Sequence, residues 1–303
     1  MASILGTLGT MFAVICYRND TGLRWIHRAV STRTPIEGPK GMEEMDFLKV
    51  DFCLKGELQP PDRQTLANAG FKSPGRGHVW PRFVSLTPGW YPWYPDESEA
   101  SLLTDLLAKT ERFIRLRERT GMIHQEPLEA SVPIIPAGDP GTLRMEDLDW
   151  WPLVPAPAPV PEPVGLTLEE EQEFRKLPVR KGLQVEFVAE LFPEASFLDE
   201  KAKRPCIARL CMAIESRSFY VLANELAHGA APLGQAAKPV LVKCLRTVGA
   251  RPELIIVESE QMEAVLSPVC VALGVRLLKK NRLHAASVAI EDLRKHFSRE
   301  TPF

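Results

Sequence analysis

The chain has 303 residues, 45% hydrophobic and 25% charged, which is the balance of a soluble globular protein. That length exceeds what one typical core supports, so two domains are expected. A net charge of −2 supplies no general attraction to nucleic acid or to a membrane surface. The charge is unevenly spread: residues 176–303 carry 19 Lys and Arg against 14 Asp and Glu, whereas residues 1–175 carry 18 against 25. Two units with different surfaces fit that asymmetry, and the basic half either meets phosphate or is merely solvated.

The first seventeen residues carry no charged side chain. A secretory signal needs a basic region ahead of its apolar core, so none is expected here, and no stretch approaches a membrane span. Residues 11–18 are apolar and β-prone, Asn19-Asp20-Thr21-Gly22 reads as a turn, and residues 23–30 are expected to return as the second strand of a hairpin. A third strand is expected over 47–54, with Phe47, Val50, Phe52 and Leu54 as its apolar positions. A short helix over 63–69 stops at Gly70. Residues 80–94 (W-P-R-F-V-S-L-T-P-G-W-Y-P-W-Y) hold three of the six Trp and two of the four Tyr. They read as one proline-stiffened loop that is either local core or contact surface. A helix follows from Asp96 or Ser98 and ends before Gly121; its apolar face includes Leu103, Leu106, Leu107 and Leu116. A strand is expected over 131–135, and Trp150 and Trp151 close this domain. The first domain, 1–151, is therefore α+β. Residues 152–165 are rich in proline and poor in charge, the composition of a polyproline II linker or of a proline-rich ligand for a partner.

The second domain, 166–303, opens with an acidic helix over 166–176. Strands are expected over 183–189, 205–214 and 219–226, the last two joined by the turn Glu215-Ser216-Arg217-Ser218. Then come a helix over 233–248 stopped by Gly249, a strand over 253–257, a helix over 259–273 stopped by Gly274, a strand over 275–279 and a helix over 283–297. The order is β-β-β-α-β-α-β-α: a meander followed by parallel crossovers, an α/β arrangement. By element order it resembles the ribonuclease H-like fold of integrase and transposase cores.

Arg76-Gly77-His78-Val79-Trp80-Pro81-Arg82-Phe83 and Pro88-Gly89-Trp90-Tyr91-Pro92-Trp93 resemble an uncharacterised bacterial two-domain family whose members carry an R-G-x-x-W-P-x-F…P-G-x-x-P-W signature. The stretch Gly249-Ala-Arg251-Pro252-Glu-Leu-Ile-Ile-Val257 is similar to the partner domain of those proteins. The family has no known activity, so this resemblance implies no catalytic residue. A looser likeness to integrase cores, through Gly249–Glu258 and Leu273-Gly274-Val275, maps three acid positions near Glu186, Glu258 and Glu291. The first two are Glu where such cores use Asp, and the longer side chain would displace the metals.

Two-metal phosphoryl transfer needs carboxylates converging from different elements, and Mg or Mn is implied only if those three glutamates meet. Arg76, Arg82, Trp80, Trp90 and Trp93 form a second candidate set, able to stack on bases or to clamp a peptide, or simply to pack. Lys238, Lys243 and Arg246 form a third, suited to phosphate or to solvent. The six cysteines form no C-x-x-C pair and read as buried thiols of a reducing, cytoplasmic compartment. No phosphate loop, dinucleotide fingerprint, G-x-S-x-G elbow or helical His pair is present, so no metal site or cofactor is assigned. The leading expectation is a non-catalytic binding or interaction protein with a protein or nucleic-acid partner. A divergent metal-dependent nuclease is the alternative.

Overall fold

The computed structural model describes residues 2–5, 12–32, 41–72, 79–120, 132–134, 144, 146, 148–151, 160–199 and 203–300. Contacts divide the chain into two units. One comprises Met1–Glu37, Glu44–Pro88 and Pro92–Ala158; the other comprises Gly38–Glu43, Gly89–Tyr91 and Pro159–Phe303. Residues 152–159, most of the expected linker, lie outside the described residues.

The first unit is built on an antiparallel sheet of β1 (Ala2–Leu5), β2 (Ala13–Tyr17), β3 (Phe47–Cys53) and β4 (Trp80–Leu86), paired in that order. The partner of β2 in the N-terminal hairpin is thus β1, not residues 23–30. Those residues lie in helix α1, Asp20–Thr32, which corrects the expected strand. Asn19 decides the matter. Its Oδ1 accepts from Thr21 N at 2.9 Å and from Gly22 N at 3.4 Å, so a residue type that favours turns starts a helix instead. Leu23 and Ile26, three residues apart, then pack with Trp25 on Ile15, Tyr17 and Phe47.

Strand β3 sorts its side chains by parity. Leu48, Val50 and Phe52 face Leu103, Leu106 and Leu107 of helix α3 (Glu97–Thr120), while Phe47 faces α1. Asp96 starts α3: Glu99 N donates to Asp96 Oδ1 at 2.8 Å, and Asp96 N donates back to Glu99 Oε2 at 3.1 Å. Helix α2 (Pro60–Asn68) begins on its own capping box, with Gln59 N donating to Asp62 Oδ2 at 2.8 Å. Strands β5 (Val132–Ile134) and β6 (Asp149–Trp151) form a separate antiparallel pair.

The second unit opens with α4 (Leu168–Arg175), capped by Thr167. Its sheet contains β7 (Val179–Asp199), β8 (Arg204–Glu215), β9 (Val221–His228), β10 (Arg251–Val257) and β11 (Arg276–Lys279), in the order β11-β10-β7-β8-β9. β7, β8 and β9 run antiparallel; β10 lies parallel to both β7 and β11. Helices α5 (Leu233–Val248), α6 (Glu260–Leu273) and α7 (His284–Glu300) follow β9, β10 and β11. One sheet face packs α4, α5 and α6 around Phe174, Phe187 and Leu245; the other packs α7 on Phe192, Met212 and Ile256. Being covered on both faces, β8 is a nearly continuous apolar run. β7 is much longer than the expected 183–189 because pairing with β8 resumes after a register shift between Phe192 and Ser196. Pro193, which has no N–H to give a ladder, falls inside that irregularity. No described helix is long and apolar enough to cross a membrane.

Candidate functional site

Helix α1 covers only part of its sheet face. Beyond Phe47, the same parity brings Lys49 and Asp51 of β3 to that face, and the register sets Asp51 opposite Arg82 of β4. A cleft of about 560 Å³ opens there, between Trp25 of α1 and Trp93 and Tyr94. A neighbouring hollow of about 310 Å³, reaching α2 and α3, shares Asp62, Arg82, Phe83 and Tyr94 with it. The segment Pro92–Tyr94 is held against the outer edge of β4: Ser85 N donates to Trp93 O at 2.7 Å, and Trp93 N donates to Ser85 O at 3.0 Å.

The floor of the cleft is ionic. Asp51 is buried, and both its oxygens are engaged: Lys49 Nζ lies 2.7 Å from Oδ1, and Arg82 Nη2 lies 2.9 Å from Oδ2. The hydrogen bond to Asp51, reinforced by its charge, raises the Arg82 pKa further, so this guanidinium is a fixed cation. Burial raises the Tyr94 phenol above its ordinary range, and it remains a hydroxyl donor. Trp93 is 38% exposed, and its ring meets Tyr94 edge-on at 5.6 Å. The arrangement sets the paired charges of Lys49, Asp51 and Arg82 beside flat apolar walls. Elsewhere, burial pushes Cys211, Cys244 and Cys270 up to about 12, which keeps these thiols protonated.

Arg82 and Trp93 are therefore brought together, and Trp80 and Trp90 do not join them. Trp80 packs on Phe71 at 5.3 Å, with Lys55 Nζ 5.5 Å from its ring. Arg76 lies outside the described residues. Trp90 belongs by contact to the second unit, where Gly89–Tyr91 pairs with β8: Tyr91 N donates to Pro205 O at 3.1 Å, and Ile207 N donates to Gly89 O at 3.0 Å. The Trp90 ring stands edge-on to His228 at 4.8 Å and beneath the Arg204 guanidinium at 5.6 Å. The stretch expected as one aromatic loop is thus a strand, an edge pairing on β8 and an edge pairing on β4. Lys49 and Asp51 are not among the expected site residues. Their signal is nonetheless present: two charges at a spacing of two inside a strand whose other positions are apolar.

In the second unit, Glu186 of β7 is buried, and its Oε2 accepts from Ala286 N, in the first turn of α7, at 2.9 Å. Glu258 follows the end of β10. Glu291 lies on α7 in an ion pair with Lys295 at 2.8 Å, whose hydrogen bond lowers the Glu291 pKa. Among the described residues, no group of three His, Cys, Asp or Glu side chains is placed to hold a metal ion. Two of the three basic residues on α5 are tied to α4. Lys238 pairs with Glu170 at 3.0 Å, and Arg246 donates to both oxygens of Glu173 at 3.0 and 2.9 Å while covering the Phe174 ring. Lys243 is exposed.

Two family models match this chain. Residues 1–129 match a domain of unknown function, DUF7309, and residues 170–294 match a second one, DUF6930. Together they fit a two-domain family of unknown function, and neither names an activity. No curated protein matches. Among solved structures, a chain of the cryoEM structure of the simian T-cell lymphotropic virus intasome in complex with PP2A regulatory subunit B56 gamma is similar at 17% identity and a TM-score of 0.27. The match covers 42% of this chain and 49% of that one, so this chain spans about half its length. A likeness at that TM-score bears on neither fold nor partner.

Proposed function

We propose that this protein works by binding a ligand rather than by catalysis, that its second unit is a ribonuclease H-like fold, and that the first acid position of that fold serves to hold a helix. The reading rests on Glu186. Its carboxylate is buried, one oxygen accepts a main-chain N–H of α7 inside the core, and among the described residues no three His, Cys, Asp or Glu side chains are grouped to hold an ion. Glu291, paired with Lys295 on the helix surface, supports the same reading. The fold assignment is supported by the sheet order, a three-strand meander extended by two parallel strands, each reached through a helix. The pairing of Lys238 and Arg246 with α4 favours a structural use of those cations over phosphate contact. The binding surface we assign is the cleft around Arg82. Six free thiols support a reducing, cytoplasmic setting.

Labelled single- and double-stranded DNA and RNA, incubated with the full chain in Mn²⁺ or in chelator, test the catalytic alternative. The expected result is intact strands under every condition. Metal-dependent cleavage that disappears with Glu258→Ala would make the protein a nuclease and overturn the proposal.

A further inference from the structure

We infer that the cleft of the first unit takes a small ligand made of a flat aromatic ring bearing a single negative charge, with the ring against Trp93 and the anion at Lys49 and Arg82. This rests on the reading of the protein as a binder and specifies what it binds. Donor accounting carries it. Asp51 has given both oxygens to Lys49 and Arg82, so two cations share one carboxylate. Arg82 Nε is buried without an acceptor, and so is the indole Nε1 of Trp25, which also lines the cleft. Buried donors in folded proteins are normally paired, so two on one cleft call for an acceptor from outside the chain, reached by a small side-chain adjustment. Asp62, the other acid at this cleft, already accepts from Gln59 N at the start of α2, where the helix dipole offsets its charge.

The walls set the rest of the ligand. Trp25, Phe47, Trp93 and Tyr94 supply ring faces and edges, and Trp93 offers the exposed one. The volume of about 560 Å³ lies within the range of small-molecule sites. A long polyanion is disfavoured, because residues 1–151 carry 20 acids against 17 bases and offer it no attraction beyond the cleft. Lys49 and Arg82 share the single carboxylate of Asp51 while Asp62 is engaged at the start of α2, so the cleft suits no more than one negative charge on a compact body.

The test uses two dyes on the full chain, 8-anilinonaphthalene-1-sulfonate and N-phenyl-1-naphthylamine, which share their rings and differ in the sulfonate. Fluorescence titration is expected to show the sulfonate binding saturably and about tenfold more tightly than the neutral dye, the worth of one charged hydrogen bond. Arg82→Gln is expected to remove that tenfold preference and leave the neutral dye within about twofold. Trp93→Ala, at an exposed ring, is expected to weaken both dyes by about fivefold or more. Lys49→Gln serves where Arg82→Gln disturbs the fold, with near-UV circular dichroism as the control, and it is expected to lower the preference in the same direction. Equal affinity for the two dyes overturns the anionic part of the inference. Affinities indifferent to Trp93→Ala overturn the site itself. Neither result touches the non-catalytic reading, which stands or falls on metal response.

Discussion

Replacing Arg18 by methionine is expected to destabilise the first unit by about 3–5 kcal/mol, the cost of removing one partner from a buried charge network. Arg18 follows β2, and its guanidinium ties three parts of the unit together. Nε donates to Asp46 at 2.7 Å, Nη2 donates to Leu86 O at 2.5 Å and to Thr87 Oγ1 at 2.8 Å, and Nη1 donates to Glu99 and Ser85. Glu99 in turn accepts from Ser85 Oγ at 2.8 Å and completes the capping box of α3. Without the arginine, two carboxylates whose side chains are only 14–15% exposed face each other's field with no counter-ion. The urea midpoint of the first unit is expected to fall with little change in slope. A loss below about 1 kcal/mol would mean that solvent already screens the network, as at an ordinary surface pair.

The second large effect is expected at Gly229, after β9. A Cβ there would lie 2.3 Å from Ile207 O and 2.7 Å from Gly89 O, both main-chain atoms that cannot swing aside. Gly89, on the other side of the same contact, has φ +79° and is equally crowded. This close approach lets Gly89–Tyr91 pair with β8 and lets Gly229 N donate to Cys206 Sγ at 3.3 Å. Gly229→Ala must force the strands apart and is expected to cost about 3 kcal/mol, the upper end for overpacking. Gly165→Ala, with nothing within 4 Å of its Cβ, is the control and is expected to stay within about 0.5 kcal/mol of the parent. Equal unfolding midpoints for the two variants would contradict the packing described for β8 and β9.

A sequence is legible here to the extent that each structural decision is local. Gly249 and Gly274 stop α5 and α6 where their spacing says, because a left-handed C-cap is written in one residue. The acidic run of α4 and the basic positions of α5 are both visible in the sequence, but their pairing is set by packing and shows in neither alone. Asn19 is ambiguous because the same side chain starts turns and helices; Leu23 and Ile26, at helical spacing, are the better guide. The aromatic run 80–94 looks like one feature because its residues are alike; chain pairing, not composition, divides it. Glu186 maps to a metal position by element order, yet its contact, Ala286 N, lies 100 residues away, beyond any local signal. The cleft depends on register: only the pairing of Asp51 with Arg82 turns two separate charges into one site.

The most direct test of the central claim is the thermal midpoint of the protein and of Glu186→Ala, each with and without millimolar Mn²⁺. A structural role for Glu186 predicts that Mn²⁺ leaves the parent unchanged. It also predicts that Glu186→Ala lowers the midpoint by about 3–5 °C in both solutions, the loss of a buried cap worth about 1 kcal/mol. A rise of several degrees with Mn²⁺ in the parent that vanishes in Glu186→Ala would place a metal on this carboxylate and contradict the non-catalytic reading.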